Sequence, residues 1–585
     1  MATRTSNTSG NWATGGTWVG GVAPVDGDSA IIADGHTVTV AANATVGTSG
    51  VSNTDDVTCN GTGTLIIAQD VHFTIKGGIF THDRGLTLNA GAWLEFTVPT
   101  SRIYTCRVGF YAQPLAHFTV NGTAAKRCKI SCTAGGGIAT LAQNIFDGGG
   151  DTKFTYLDLE NIGSASDDAL YVVNSCEMQH CRVTNCGIIR VNNISATQNL
   201  DIQYCNFSNG KSDELLYVNT DSVPAALNRR VRYNAFKLGG SISYSVVFSE
   251  SRGVSVVGNY FDIPPLTSSY ATNFISTWES NFIRDNVGVL GGSQFTPLCS
   301  IIKNDYFYNG TADDPLIYLP RTTAGQEFDG IVIESAIDWS IDNGDAFLDT
   351  VNPDSPFIYI VHNCLILPSP GRKSSTTIFT SCGTPNMTYR VYNNTYFTGA
   401  QGGAYLADES LGHAGAIEYF RDNVAWADVG STNAWILWAQ TTIANNYITQ
   451  ADYNGYVNCT VPLYNAGSNG FAATPGTHDL AADPAFFDKD RNLSKWSSTI
   501  LANTGTPAEL RTKALAAFAA MNDESATAYV ANLAVEDMVN WVKDGFAPTN
   551  MAFNTAGHSG SYIGAMEPVA PAATGSPTAM LLMAF

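Results

Sequence analysis

The segments Cys181-Arg-Val183, Cys205-Asn-Phe207, Asn234-Ala-Phe236 and Asn259-Tyr-Phe261 repeat one short pattern: a small polar residue, any residue, then an apolar or aromatic one. Related segments recur about every 26 residues between roughly residue 100 and residue 450. A loose repeat of this length, built from strand-like pieces, is typical of a solenoid of stacked β-coils. The sequence therefore predicts an all-β fold, a parallel β-helix. We call the first residue of each segment its anchor; the predicted anchors are Cys106, Cys128, Leu157, Cys181, Cys205, Asn234, Asn259, Asn286, Asp305, Ser335, Asn363, Asn394, Asn423 and Asn446.

The anchor side chains are predicted to point into the solenoid and to stack on the anchors of neighbouring coils. Stacked asparagine amides can donate hydrogen bonds to the next coil and so satisfy their own buried polar groups. Cys181 and Cys205 should lie on adjacent coils, where thiols act as small buried side chains rather than as disulfides or metal ligands. Two positions further on, a broken aromatic stack is predicted for Phe207, Phe236, Phe261 and Phe307.

Composition limits the classes of partner. The chain has 585 residues, of which 14% are charged and 44% are hydrophobic, and its formal net charge is −21. Such an acidic chain is not expected to bind nucleic acid, because neutralising phosphates requires clustered Lys and Arg. No stretch is apolar enough for membrane insertion, and the N-terminal sequence lacks the apolar region of a secretory signal peptide. We therefore expect the chain to fold in a cytoplasm.

Changes in pattern along the chain predict four parts. Glycine, proline and tryptophan turns separate short alternating strands at the start, and helical spacing replaces the strand repeat near the end. The predicted helices, Ala508–Met521 and Ala526–Val542, would cover the open end of the solenoid. The predicted parts are an N-terminal cap (1–50), a parallel β-helix (51–465), a C-terminal mixed and helical module (466–567) and a linker with an apolar tail (568–585).

Two stretches resemble known protein families. The first fifty residues resemble the eight-glycine type of domain that precedes parallel β-helices in bacterial and phage surface proteins. That likeness is carried by Trp18, Gly20, Gly21, Pro24, Gly27, Asp28 and Gly35. The C-terminal part, with Trp541-Val-Lys-Asp-Gly-Phe-Ala-Pro-Thr-Asn550, Gly557-His558 and Ile563-Gly-Ala565, resembles β-helix proteins of tailed-phage virions. The resemblance implies a right-handed solenoid, location on a virion and assembly as a homotrimer with other capsid or tail proteins.

The inserted loops carry the residues predicted to act outside the solenoid. Enzymes that cut polysaccharides need paired carboxylates, and acidic residues beside tryptophans occur in two predicted loops. We predict glycan binding by Trp278, Glu279, Trp339 and Asp342, without assigning catalytic residues. A polysaccharide lyase would also need a basic residue near its base, for which Arg229, Arg230 and Lys303 are available. The sequence predicts no metal site and no cofactor.

The apolar end of the chain indicates a docking segment. Seven apolar residues at a free terminus favour aggregation unless they pack against the chain's own helical module, a sister subunit or another particle protein. The leading prediction is a non-enzymatic virion protein, a capsid decoration or a projecting spike or fibre that binds host surface polysaccharide. The alternatives are a polysaccharide-depolymerising tailspike, a hydrolase or lyase, and a bacterial surface adhesin. The residues predicted to dock on a partner are Met580, Leu581, Leu582, Met583 and Phe585.

Overall fold

A computed structural model shows that the chain forms a parallel β-solenoid, as the repeat predicts, and the residues that it describes include very little helix. The polypeptide divides into two compact units: a first unit of residues 1–300, 310–320 and 506–535, and a second unit of residues 301–309, 321–505 and 536–585. The residues that the structure describes are 2–48, 55–76, 79–82, 85–96, 102–105, 117–132, 146–148, 151–162, 168–172, 175–194, 199–208, 215–220, 229–237, 246–249, 254–257, 259–263, 273–276, 282–284, 287–290, 294–296, 301–303, 306–309, 317–319, 326–335, 346–350, 357–368, 376–380, 387–398, 404–405, 408–409, 416–427, 437–439, 451–458, 464–465, 472–473, 476–489, 491 and 542–570.

In the first unit, a typical coil contributes one strand to each of three parallel sheets. The first sheet contains Thr3–Thr5, Ser29–Ile32, Asp55–Cys59, Ile79–His82, Arg102–Thr105, Phe146–Gly148, Asp168–Val172, Ile188–Ile194, Leu216–Thr220, Val246–Ser249, Asn273–Ser276, Gln294–Thr296 and Ile317–Leu319. The second sheet contains Gly10–Asn11, Thr37–Val40, Thr64–Ile67, Gly85–Asn89, His117–Asn121, Asp151–Thr155, Cys176–Gln179, Leu200–Gln203, Arg229–Arg232, Ser255–Val257 and Phe282–Arg284. The third sheet contains Ala44–Val46, His72–Ile75, Trp93–Phe96, Cys128–Cys132, Leu157–Glu160, Arg182–Thr184, Asn206–Ser208, Ala235–Lys237, Tyr260–Ile263 and Val287–Leu290.

The second unit has the same three-sheet plan. Its first sheet contains Ala346–Thr350, Thr376–Thr380, Ala404–Tyr405, Asp408–Glu409, Leu437–Ala439, Tyr464–Asn465 and the antiparallel Ala472–Ala473. Its second sheet contains Ile301–Lys303, Gln326–Asp329, Phe357–His362, Met387–Tyr392, Ala416–Arg421 and Ala451–Asp452. Its third sheet contains Tyr306–Asn309, Val332–Ser335, Leu365–Pro368, Thr395–Thr398, Val424–Ala427, Gly455–Val457 and Leu480–Ala481.

Alternating side chains separate the interior of the solenoid from its outer surface. In the strand Trp93–Phe96, Leu94 and Phe96 are fully buried, whereas Trp93 and Glu95 lie on the outer side. Strands of successive coils pair in register, so like positions stack about 4.8 Å apart. Each inward position therefore becomes a row of side chains running through the interior, and each outward position becomes a row on the surface.

From Tyr156 onward, the described corners between the second and third sheets are two-residue turns. The first residue of each has a positive φ, for example +55° at Tyr204 and +57° at Tyr233. The second residue is the anchor, and Cys205 and Asn234 are buried in the interior. The left-handed residue bends the backbone between two strands of one coil. Its own side chain then points outward, and the side chain of the anchor that follows it points inward.

The predicted ladder of anchor side chains is present in the first unit. The Asn234 Nδ2 group donates to Asn259 Oδ1 at 3.1 Å and to the Ile202 carbonyl at 2.9 Å. Asn259 Nδ2 donates to the Val231 carbonyl at 2.9 Å, and Cys205 N donates to Asn234 Oδ1 at 2.9 Å. These bonds satisfy amides that are fully buried.

The second unit contains a ladder of the same kind, with corrections to the predicted register. Asn394 donates to Asn423 at 3.0 Å, and Asn423 donates to Asn454 at 3.1 Å. Asn363 is not an anchor, because it is itself the left-handed corner residue, with φ +56°, and Cys364 takes the buried place. Ser335 is also not an anchor, since it ends a third-sheet strand, and the buried residue that follows the left-handed Gly330 is Ile331.

Two residues that were not predicted as anchors extend the ladder of the second unit. Asn454, which the sequence pattern assigned no role, accepts from the Asn423 backbone at 3.0 Å and is fully buried. Asp479 Oδ1 accepts from Asn454 N at 2.8 Å and extends the row by one coil. The inner aromatic stack is confirmed at Phe207 and Phe236, whose rings lie 4.9 Å apart at 11°. The predictions for Cys106, Asn286, Asp305 and Asn446 lie outside the described residues.

We predict that Asn259→Asp destabilises the first unit. The replacement keeps the size of the side chain but removes both N–H donors and places a carboxylate oxygen against the Val231 carbonyl. Losing a buried donor in this way costs about 1–3 kcal/mol of unfolding free energy. The measurement is urea or thermal unfolding, with the half-buried surface residue Asn206→Asp as the matched control. An unchanged unfolding midpoint for Asn259→Asp would contradict the ladder's energetic role.

Two tryptophans fill the N-terminal end of the first unit. Trp12 and Trp18 are nearly fully buried, their rings contact edge to face at 5.1 Å, and Trp12 contacts Phe73 at 5.0 Å. Backbone groups of Asn7 and Thr8 donate to the Thr17 carbonyl, so the turn at 15–17 covers part of the edge of the first coil. The strands of residues 1–50 pair in parallel with the next coil, as Thr3–Thr5 does with Ser29–Ile32.

The C-terminal segment 542–570 packs along the outer side of the third sheet of the second unit. Phe553 and Ile563, both fully buried, contact Val424 and Trp426, which project outward from one strand. The predicted helical module is not confirmed. In the described part of the chain, helix is confined to one turn at 542–545 and to short 3-10 turns, the last two being Met551–Phe553 and His558–Gly560, and the predicted helices lie outside it except for Val542.

A buried carboxylate attaches this segment to the solenoid. Asp422 is 3% exposed, and its Oδ1 accepts the His558 N–H at 2.6 Å while its carbonyl accepts the Gly564 N–H at 2.8 Å. Arg421 Nε lies 3.7 Å from Asp422 Oδ2. Burial raises the pKa of Asp422 above its ordinary value, although the His558 N–H and the charges of Arg421 and His558 oppose the shift.

This shift predicts that Asp422→Asn stabilises the second unit near neutral pH. A raised folded pKa means that the native protein binds the proton more tightly than the unfolded chain does, so the ionised group lowers stability above that pKa. Asparagine keeps the acceptor for His558 without the charge. The measurement is thermal unfolding of both proteins between about pH 7 and about pH 4. The advantage of the variant should shrink as the pH falls, and a constant difference would contradict the assignment.

Candidate functional site

Four aromatic rings form a stack on the outer surface of the first unit. Tyr156 and His180 stack at 4.5 Å, His180 and Tyr204 at 5.0 Å, and Tyr204 and Tyr233 at 5.5 Å. The interplanar angles run from 4° to 18°, so the rings are nearly parallel. All four are half-buried. We call this row the aromatic strip; it consists of Tyr156, His180, Tyr204 and Tyr233.

The strip follows from the corner turn. Each of its residues has a positive φ and directly precedes an inward anchor, so its side chain lies outside. Register pairing of the coils then brings the four rings to the strand spacing, at which parallel aromatic rings are in contact. Neighbouring rings cover one another's faces, so the inner two rings, His180 and Tyr204, leave chiefly their edges uncovered.

Guanidinium groups lie at both ends of the strip. The Arg127 guanidinium carbon is 5.7 Å from the centre of the Tyr156 ring, and that of Arg232 is 5.9 Å from the centre of the Tyr233 ring. Arg127 also forms an ion pair with Asp158 at 2.8 Å and donates to the His180 carbonyl at 2.8 Å. These contacts lie within the range of cation–π attraction and fix the ends of the stack.

Polar rows flank the strip on the second sheet. The adjacent row contains Gln203 and Arg232, and the Arg232 Nε–H donates to Gln203 Oε1 at 3.0 Å. The next row contains two ion pairs, Lys153–Glu177 at 3.7 Å and Arg230–Asp201 at 3.2 Å. The surface beside the rings therefore carries paired charges and the Arg232 guanidinium in regular order along the coils.

On the other side of the strip, the third sheet adds further polar side chains. Asp158, Arg182 and Asn206 occupy one outward row in register. At the following corner, Asn185 Nδ2 donates to Asn161 Oδ1 at 2.6 Å. Hydroxyl, amide and guanidinium groups around half-buried aromatic rings are the groups that bind polyhydroxylated ligands such as sugars.

Tyr204 of the strip keeps its proton at physiological pH. Burial is the main cause that raises the pKa of Tyr204, and the neighbouring Tyr233 adds to it, while Arg232 opposes it. A protonated phenol both donates and accepts a hydrogen bond. The Tyr204 phenol therefore has the chemistry to bind either an oxygen lone pair or a hydroxyl proton.

A second cluster lies on the outer side of the second unit, around His362. Its Nε2 lies 2.8 Å from Glu327 Oε1, its Nδ1 lies 3.5 Å from Asp329 Oδ1, and its ring stacks on Tyr392 at 4.9 Å. Asn363 Nδ2 donates to Asp329 Oδ1 at 2.8 Å. The two carboxylates contact different nitrogens of the same imidazole ring. Their separation therefore falls in the range of roughly 5–10 Å found between the two catalytic carboxylates of glycosidases. The ring itself, however, fills the space between the carboxylates.

The thiols are structural, as predicted. The eight cysteines described are all buried and unbridged. Burial raises the pKa of Cys128 to about 11 and that of Cys176 and Cys364 to about 12, so these thiols are not ionised near neutral pH. Cys205 Sγ accepts from Cys181 N at 3.4 Å, which confirms that the two anchors lie on adjacent coils.

Only some of the predicted surface residues lie in the part of the chain that the structure describes. Trp278, Glu279, Trp339 and Asp342 lie outside the described residues, as do the tail residues Met580–Phe585, so their predicted roles stay predictions. Arg229 is 2% exposed in the interior, so it is not available to a surface lyase site, whereas Arg230 is on the surface and paired with Asp201.

The aromatic strip was not predicted, although its signal is present in the sequence. An aromatic residue directly precedes each of the anchors Leu157, Cys181, Cys205 and Asn234. Among the residues that the structure describes, no group of three or more His, Cys, Asp and Glu side chains has the arrangement of a metal site. No helix there has both the length and the apolar character needed to cross a bilayer. Comparisons with protein-family models, with curated proteins and with solved structures found no match for this chain.

Proposed function

We propose that this chain is a structural surface protein whose aromatic strip binds glycans without cleaving them. The observation that carries the proposal is the continuous stack of Tyr156, His180, Tyr204 and Tyr233 on the outside of the solenoid. The interior anchors already account for the stability of the corner, so the outward rings are not required to fill the core. Their edges instead meet solvent beside amides and paired charges.

The geometry of the strip favours a long polar ligand. Binding groups repeat at the spacing of the coils, so a polymer lying along the solenoid can meet similar groups at several successive positions. Each individual contact is a solvent-exposed hydrogen bond or ring-edge contact, which is worth little alone. Many equivalent contacts in one row give useful affinity without a deep pocket, as suits an adhesive surface.

The resemblance to tailed-phage β-helix proteins supports a virion as the setting. In that proposal the chain decorates a capsid or projects as a spike or fibre, assembles as a homotrimer and binds host polysaccharide. The segment Met580–Phe585 would dock on another virion protein. The packing of the neighbouring segment 542–570 along the second unit is consistent with a C-terminal end that serves attachment.

We predict that Tyr204→Phe combined with Tyr233→Phe weakens glycan binding about tenfold. Phenylalanine preserves the ring stack and removes only the hydroxyl groups, so the fold should be unaffected. The measurement is binding of the full chain to an array of bacterial surface polysaccharides, followed by titration with those that bind. Tyr217→Phe is the control, because Tyr217 stacks with Arg190 at 4.2 Å on the first sheet of the same unit. Absence of binding by the unmodified protein to any polysaccharide would contradict the proposal.

The cluster around His362 favours a second candidate function, hydrolysis of the bound polysaccharide. Glu327 and Asp329 lie on opposite sides of one ring, and Glu327 is the more exposed, with 38% of its side chain accessible against 16% for Asp329. Glu327 would serve as the general acid and Asp329 as the base. This function ranks second because the imidazole ring must leave the space between them before a sugar can enter.

If the chain is a hydrolase, Glu327→Gln and Asp329→Asn should each lower the release of new reducing ends by about 100-fold or more. The surface pair residue Glu177→Gln should leave the rate unchanged, since it lies in the first unit and contacts Lys153. The measurement is the production of reducing ends from host polysaccharide. No reducing ends from the unmodified protein would exclude this function for that polysaccharide and would leave binding by the strip intact.

A further inference from the structure

The surface around the aromatic strip differs in charge from the chain as a whole. The chain carries 30 basic and 51 acidic residues. On the four coils that carry the strip, the described basic and acidic side chains on the outer sides of the second and third sheets are equal in number. The basic residues are Lys153, Arg182, Arg230 and Arg232, and the acidic ones are Asp158, Glu160, Glu177 and Asp201. Arg127 and Lys129 lie on the preceding coil.

Most of these basic groups are held by acidic partners. Arg127 contacts Asp158, Lys129 contacts Glu160, Lys153 contacts Glu177, and Arg230 contacts Asp201. Each pair cancels much of the field of its members. These pairs order the surface without favouring either sign of ligand charge.

Arg232 differs from the other arginines beside the strip. Its Nε–H donates to the neutral amide oxygen of Gln203, and its guanidinium lies over the edge of the strip at Tyr233. Asp201, the carboxylate nearest along the same strands, is engaged by Arg230 at 3.2 Å and by the Gln203 amide at 3.4 Å. The positive charge of Arg232 therefore lies beside the Tyr233 ring of the strip, and among the residues that the structure describes Arg232 forms no ion pair.

We infer that the glycan bound by the strip is acidic, a polysaccharide that contains uronic acid residues. This inference rests on the proposed function and names the chemical class of its ligand. A guanidinium group binds a carboxylate through parallel N–H donors, and the neighbouring phenols of Tyr204 and Tyr233 supply further hydrogen bonds. The half-buried surroundings strengthen the attraction relative to a fully exposed pair.

The acidic net charge of the chain opposes the approach of an acidic polymer. A protein with a net charge of −21 repels polyanions at long range, most strongly at low ionic strength. The guanidinium of Arg232 beside the strip offsets that repulsion only where the ligand is in contact with it. The binding of an acidic polymer would therefore depend on short-range contacts at Arg232 more than on long-range steering.

The test compares polygalacturonate with its carboxyl-reduced form, which has the same linkages and no charge. The full-length protein should bind the acidic polymer about tenfold or more tightly than the neutral one. Arg232→Gln should remove most of that difference and leave binding of the neutral polymer unchanged. Arg190→Gln is the control, because Arg190 stacks on Tyr217 away from the strip. Unchanged melting temperatures would show that both variants fold.

The outcomes separate this inference from the proposed function. Equal binding of the two polymers by the unmodified protein would overturn the inference and leave glycan binding by the strip standing. Retained preference for the acidic polymer in Arg232→Gln would also overturn it, since the charge would then act elsewhere. Failure to bind either polymer, together with no binding on the polysaccharide array, would overturn the proposed function itself.

Discussion

The structure depends on the two-residue corner between the second and third sheets. One residue adopts a left-handed backbone and the next turns its side chain into the interior, and this arrangement recurs along the chain. A left-handed conformation costs roughly 1–2 kcal/mol for a residue other than glycine. That cost is offset where Asn234, Asn394 and Asn423 donate to neighbouring coils and thereby satisfy buried amides. The ladder inside and the aromatic strip outside are two consequences of the same turn.

The sequence predicts the ladder because its members share a residue type and a spacing, but it does not determine the register at every coil. At Asn363-Cys364 two small polar residues are adjacent, and only the backbone decides that Asn363 takes the left-handed place and Cys364 the buried one. At the last coils, Asn446-Tyr-Ile448 and Asn454-Gly-Tyr456 both fit the pattern of an anchor segment. Tyr453, with φ +63°, marks Asn454 as the anchor, and its aromatic side chain is the signal that a search for anchors alone does not use.

The outward residues of the third sheet differ between the two units, and the difference predicts where another segment covers the sheet. In the first unit this side carries polar residues such as Lys129, Asp158 and Arg182, which suit exposure to solvent. In the second unit the corresponding side carries Val424 and Trp426, which are buried by the C-terminal segment. The change from polar to apolar outward residues is visible in the sequence and predicts that something covers the sheet. It does not predict whether a helix or an irregular segment does so, because Phe553 and Ile563 pack from short turns as well as they would from a helix.

The candidate glycan site was missed for a physical reason. Long inserted loops with tryptophan and acid were favoured because binding sites often lie on loops, whereas the strip lies on the regular coils themselves. Each ring of the strip is unremarkable in isolation, and only stacking makes a surface of them. Stacking also limits what the surface can bind. The rings use their faces on one another, so an apolar ligand gains little from them, and a ligand must instead contact hydroxyl edges, amides and Arg232. In the proposed function these groups would select polar, hydrogen-bonding polymers, and the charge of Arg232 would select the acidic ones among them.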